Sequence, residues 1–223
     1  MINLYNYKGF QIFNNSFSSL EIGKLKIYSF KYDFPVLNIS GIKYYKEEYI
    51  PLAGTDIMSL IFKYEPKPDY YPTFLSEYLK RKISFKNEKI SKNEECFIKP
   101  ADKYKRFTGF IKKKFKFCKK KPPFWISEIK YFKSEFRYYI TEGKIVYSAQ
   151  YSGNETEVPD ISYIKFPETY SGAVDFGYTV NNEFLLIEAQ HPYSCGWYGN
   201  DRDFEIYIQW IIDGFIYMKK QGK

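Results

Sequence analysis

The spacing of apolar positions divides the chain into two kinds of segment. Residues 1 to about 65 carry short β-branched or aromatic runs, "GFQIFNN", "KLKIYSF" and "FPVLNIS", bounded by Gly, Asn, Pro and Ser, and each predicts a strand. "YIPLAGTDIMSLIF" follows, with Gly54 as a turn. Pro66, Pro68 and Pro72 punctuate the next stretch, after which Phe74, Leu75, Tyr78 and Leu79 recur at helical spacing. That spacing predicts a helix over 72–83 joining a first lobe to a second.

From residue 95 the pattern is mostly β. "CFIK", "FTGFI" and "FWISEIKYF" each read as a strand. "SEFRYYITEGKIVYSAQY" reads as two strands around a "TEGK" hairpin turn. "GAVDFGYTVNNEFLLIEAQ" is a second such pair, with "NN" able to take positive φ. "DRDFEIYIQWIIDGFIYMKK" opens acidic and closes basic, as the helix dipole prefers, and its apolar positions predict an amphipathic helix. The expected fold is α+β: a mixed N-terminal lobe over 1–90, an antiparallel lobe with a closing helix over 91–223, and a cleft between them where a ligand would bind.

Composition changes this picture little. The chain has 223 residues and 22% aromatics, and Tyr buries its ring while keeping its hydroxyl bonded, so a large core is available. The formal charge of +8 invites a nucleic-acid reading. A lysine excess on a solvated surface explains the same number. Arginines are only Arg81, Arg106, Arg137 and Arg202, which draws attention to each of them. Cys96, Cys118 and Cys195 are odd in number and widely spaced, which argues against a zinc ribbon or disulfide framework and for a reducing compartment. His191 is the single histidine, and the sequence offers neither a second His nor a nearby paired Cys to complete a metal site with it. With no bilayer-length apolar run and no signal-like N-terminus, the expected location is the cytoplasm, away from membranes.

Four charged residues interrupt strands that should be apolar. Lys99 ends "CFIK", Arg137 sits inside "EFRYYI", Asp175 inside "AVDFGYTV", and Glu188 ends "EFLLIE". Charges are rarely buried unless paired or metal-bound. Two cations and two carboxylates on consecutive strands suggest a phosphate-and-metal site, the cations on phosphate oxygens and the carboxylates on Mg²⁺. If "NN" is the turn, Asp175 and Glu188 each lie about six residues from it and stand side by side. An outward-facing alternating strand with Asp175 in solvent is the competing reading. The lysine run 112–121 reads as a solvated loop, although Phe115 and Phe117 between the lysines would also suit a strand or a stacking platform for nucleic acid.

"FIKP…KRFTGFI", "SEFRYYITEGKIVYSAQY" and "AVDFGYTVNNEFLLIEAQHPYSCGWYG", in that order, resemble the divergent ATP-grasp clade named for its two arginines and a lysine. That clade includes phage and bacterial proteins and a eukaryotic chaperone that assembles translation initiation factor two. The resemblance covers roughly 65 to 218. It implies an ATP-grasp-like fold with ATP and Mg²⁺ as cofactors. Lys99 matches the lysine on nucleotide phosphates, and Lys105 and Thr108 match the loop that covers them. Glu128 falls where the hinge meets adenine or ribose, and Arg137 matches the "E-F-R" arginine. Asp175 and Glu188 match the Mg²⁺ carboxylates, and Gln190 falls where the family usually has Asn. The clade's other arginine would be Arg81, Arg106 or Arg202. The activity implied is carboxylate–amine ligation through an acyl phosphate, with a peptide or protein as acceptor. The alternatives are an ATP-binding assembly chaperone that does not ligate, and a basic nucleic-acid binder.

Overall fold

A computed structural model describes residues 2–13, 19–65, 69–102 and 106–222. The first sheet is parallel, with β1 (Gly9–Phe13) flanked by β2 (Val36–Ile39) and β3 (Tyr49–Leu52). Every residue of β1 is buried, as expected for a central parallel strand covered on both faces. The β1–β2 connection is a helix, α1 (Ser19–Tyr32), so "KLKIYSF" is helical and not the strand its alternation suggests. Ile22, Leu25, Tyr28 and Tyr32 recur at helical spacing and pack into the core, while Ile27 and Phe30 project into solvent. Those two outward apolar residues are what imitate a two-residue period. After β3, Gly54 opens α2 (Thr55–Phe62).

The same core is closed from the other end of the chain by α3 (Phe204–Gln221), the amphipathic helix expected there. Tyr207, Ile211, Phe215 and Met218 pack with Phe10, Ile50 and Met58. Trp210 joins α3 to the rest of the molecule: its indole N–H donates to the carbonyls of Ile140 at 3.1 Å and Gly172 at 3.2 Å.

The second sheet has the order β4-β7-β5-β6 and is antiparallel: β4 (Ile83–Lys86), β5 (Cys96–Pro100), β6 (Phe110–Lys112) and β7 (Phe124–Ser127). The helix expected over 72–83 is a shorter 3-10 helix, Thr73–Tyr78. Lys80, at φ 41, turns the chain into the left-handed region and stops the helix, and residues 83–86 gain ladder partners on β7 instead. The expected strand "FWISEIKYF" is likewise interrupted: Glu128 leaves the β5–β7 ladder and its N–H bonds the Lys82 carbonyl.

The third sheet has the order β11-β10-β8-β9 and is antiparallel, from β8 (Phe132–Thr141), β9 (Lys144–Ser152), β10 (Gly172–Thr179) and β11 (Phe184–Gln190). Both hairpins turn where the sequence predicts. Glu142 and Gly143 take φ 46 and 73, the two positive values that the favoured two-residue turn requires, and Asn182 takes φ 62. No described helix is long and apolar enough to cross a membrane.

Candidate functional site

The second and third sheets enclose a cleft of about 700 Å³. Its floor is one rung of the third sheet. Arg137 on β8 pairs in register with Asp175 on β10, and Asp175 with Glu188 on β11. Arg137 grips Asp175 with two parallel bonds, Nε to Oδ1 and Nη2 to Oδ2, both 2.8 Å. Its third nitrogen donates to the Gly196 carbonyl at 3.3 Å. The pair is almost sealed, with Arg137 4% and Asp175 1% exposed. From the opposite sheet, Lys99 at the end of β5 forms an ion pair with Glu188. Charges therefore run cation, carboxylate, carboxylate, cation across the cleft.

Burial pushes the Asp175 carboxyl above its ordinary range; Arg137 opposes this, and the Glu188 charge adds to it. Burial would depress the Arg137 guanidinium, but the Asp175 charge and its hydrogen bonds reverse that and hold Arg137 firmly protonated. The two-bond geometry supports an ionised pair, since a protonated carboxyl could not accept both bonds equally.

A bulge lies beside this rung. The β10–β11 register shifts between Asp175 and Phe176, leaving Ile187 as the extra residue. Arg81 reaches across from the segment before β4 and donates to the Leu186 carbonyl at 2.5 Å and the Ile187 carbonyl at 2.8 Å. Its guanidinium sits 5.9 Å from the Tyr71 ring. Burial lowers the Arg81 pKa, against the pull of Tyr71 and Glu188. Of the three candidates for a second arginine, Arg81 alone lines the cleft. Arg106 instead bonds Asp102 at 2.7 Å and the carbonyls of Lys121 and Pro122, and Arg202 lies in the exposed turn before α3.

Most of the other expected residues meet here. Thr108 and Glu128 line the side opposite the rung. Gly109, next to Thr108, lies so close to Phe97 that a Cβ would meet its ring at 2.6 Å. Gln190 lies two residues beyond Glu188 and donates its amide N–H to Glu188 Oε1 at 2.6 Å. Lys105 lies outside the described residues. Two tyrosines were missed. Tyr151 and Tyr198 stack at 4.8 Å, the Arg137 guanidinium lies 4.7 Å from the Tyr198 centroid, and the Tyr151 hydroxyl reaches Asp175 Oδ2 at 3.4 Å. Strand alternation does not mark Tyr151, which is the extra residue of a β8–β9 bulge: Phe136 pairs with Gln150 and Glu135 with Ser152.

Among the described residues there is no group of three or more His, Cys, Asp or Glu that could hold a metal. Asp175, Glu188 and the Gln190 amide offer oxygen donors, the set a hard cation prefers. Asp175 Oδ1 accepts from Arg137 Nε and keeps a second lone pair, whereas Oδ2 accepts from both Arg137 and the Tyr151 hydroxyl. The donor set thus fits Mg²⁺, which takes one or two carboxylates and completes its shell with substrate phosphates and water.

No curated protein sequence matches the chain at a significant level. Among solved structures, N5-carboxyaminoimidazole synthetase from Staphylococcus aureus aligns over 95% of this chain and 79% of its own, with TM-score 0.52 and 10% identity. The ATP-grasp ligase PsnB, solved with a minimal precursor, aligns over 86% of this chain and 93% of its own, with TM-score 0.48 and 8% identity. At 10% identity the likeness to the synthetase speaks to fold alone. The sequence model for the ATP-grasp domain of the two-arginine-and-lysine clade, family two, matches residues 78–204, which carry Lys99, Thr108, Arg137, Asp175 and Glu188; the chain belongs to that family and has the ATP-grasp fold.

Proposed function

We propose that the protein is an ATP- and Mg²⁺-dependent carboxylate–amine ligase, with a peptide or protein as acceptor. One observation carries the reading: a rung of Arg137, Asp175 and Glu188, met from the facing sheet by Lys99, floors a cleft of about 700 Å³. Cations and oxygen donors side by side suit a triphosphate with its metal. Lys99 and Arg137 would neutralise phosphate oxygens, Lys105 and Thr108 would contact the phosphates as well, and Glu128 would meet the nucleoside. Asp175, Glu188 and the Gln190 amide would hold Mg²⁺, which supplies positive charge next to the phosphates. Arg81 would hold the β11 bulge and so set where Glu188 stands.

The chemistry is that of the substrates. A carboxylate oxygen attacks the γ-phosphorus, the bond to the ADP oxygen breaks, and an acyl phosphate forms. An amine then attacks the acyl carbon, inorganic phosphate departs, and the amine loses a proton as the amide forms. The protein's contribution is placement and charge neutralisation.

The test is release of ADP and phosphate with Mg²⁺-ATP, alone and with panels of carboxylates and amine-bearing peptides. Turnover that requires both partners and is lost in Lys99→Ala supports ligation. Tight ATP binding without turnover, together with a stable complex with another protein, would support an assembly chaperone in its place.

A further inference from the structure

The lysine run is not absorbed by the cleft. We propose that the loop between β6 and β7, residues 113–121, with the neighbouring Lys92, is a docking site for single-stranded nucleic acid. This does not depend on the ligase reading.

Three observations carry it. First, the charge of the loop itself is of one sign. No acidic residue lies between Asp102 and Glu128. Lys112 turns inward, 2% exposed, and donates to the carbonyls of Lys92, Glu94 and Lys113, whereas Lys113, Lys114, Lys116, Lys119, Lys120 and Lys121 are exposed. Lys112 thereby fastens the loop to residues 92–94 and adds Lys92 to the basic surface. Second, two phenyl rings stand in water among these cations, Phe115 at 63% and Phe117 at 74% exposure. Third, the backbone is built to put one there. Phe115 adopts φ 61, a region that residues with a side chain rarely enter, and is pinned by its N–H bond to the Lys92 carbonyl at 2.9 Å. A loop that only needed solvation would gain nothing from a strained phenylalanine in water.

The chemistry selects among anionic partners. Lys92 Nζ lies 5.1 Å from the Phe117 centroid and Lys114 Nζ 5.4 Å from that of Phe115. An ammonium over the face of each ring is badly placed for insertion into hydrocarbon, which excludes charge. Each ring is still mostly exposed, so a base can meet its remaining surface with the phosphate in reach of that ammonium. An acidic peptide would satisfy the lysines but offers carboxylates and no run of flat faces to the two rings. Single strands combine both, with phosphates for the cations and bases for the aromatics.

The test uses the full chain and a labelled mixed-sequence single strand of about twelve nucleotides, followed by fluorescence anisotropy across a salt series. The wild type should bind, with affinity falling steeply with salt. Lys113→Ala/Lys116→Ala/Lys119→Ala should flatten the log–log salt slope by roughly 2, at about 0.7 per phosphate lost. Phe115→Ala/Phe117→Ala should leave the slope alone and weaken binding on the order of five-fold per ring. All five positions are exposed, and unchanged far-ultraviolet circular dichroism and urea unfolding verify folding. Equal binding by the lysine variant overturns the proposal. So does indifference to the phenylalanine change, or tighter binding to polyglutamate or phosphatidylserine vesicles than to the oligonucleotide.

Discussion

Asp175 stands opposite Glu188 in the β10–β11 ladder, and each carboxylate holds a different cation, Arg137 and Lys99 respectively. Two like charges in adjacent strands repel. Here each is offset by a cation from a different direction, one from the same sheet and one from across the cleft.

The inner pair is the more deeply buried, and its loss should be costly. Asp175→Asn leaves Arg137 charged and sealed without a counter-charge, so a loss of about 3–5 kcal/mol is expected. Replacing both, as Arg137→Met/Asp175→Leu, should recover most of it, because no unpaired buried charge remains. Urea denaturation measures both variants. A single variant that loses under about 1 kcal/mol would show that the pair is not the sealed ion pair described.

Nucleotide should report on the same rung. With Mg²⁺-ATP at about 100 times its dissociation constant, thermal or urea unfolding should show roughly 2.7 kcal/mol of added stability. Lys99→Ala should lose most of this. Glu188→Gln should keep ATP binding but lose the dependence on Mg²⁺, since an amide is a poorer ligand for a hard cation. Titrating Mg²⁺ at fixed ATP separates these outcomes, and an unchanged Mg²⁺ midpoint in Glu188→Gln would remove it from the metal set.

The rung was legible in the sequence because strands have a fixed period. Counting outward from "NN" brings Asp175 to Glu188, and charges inside apolar runs mark the buried face, but the ladder nearest the turn runs one residue off that count and the bulge restores the pairing. The bulge at Ile187 was not legible, since no residue type announces it. Nor was Arg81, whose value depends on the chain turning at Lys80 and bringing the guanidinium back over β11. The α1 error has the same origin: Ile27 and Phe30 are apolar but outward, so local pattern misreports burial. What the sequence hides is tertiary placement that breaks a local period.

Arg81 is a case where lysine is no substitute. Its planar fork spans two successive carbonyls, a shape an ammonium lacks. Arg81→Lys should cost about 1.5–3 kcal/mol for a lost charged hydrogen bond. It should also loosen β11 locally. Hydrogen exchange should speed up at the amides around Ile187 while β1 is unaffected. Uniform protection across both would show that Arg81 does not hold the bulge.

Alkali should unfold the protein early, because its core is rich in neutral phenols. Burial lifts Tyr64 from 10.0 to about 12, and its hydroxyl donates to the Met218 carbonyl at 2.8 Å. Burial also raises Tyr45, Tyr70, Tyr138, Tyr139, Tyr193 and Tyr207. Between the unfolded and folded pKa values the unfolded chain has lost protons that the folded one keeps. Raising pH therefore draws the equilibrium toward the unfolded state, and the loss begins near pH 10, where free phenols ionise. Below that value these groups are neutral in both states and contribute no pH dependence. Phenolate absorbance followed beside far-ultraviolet circular dichroism tests this. The buried phenols should ionise together with loss of secondary structure. If all the tyrosines titrate in one smooth step while the fold persists, the burial assigned to them is wrong.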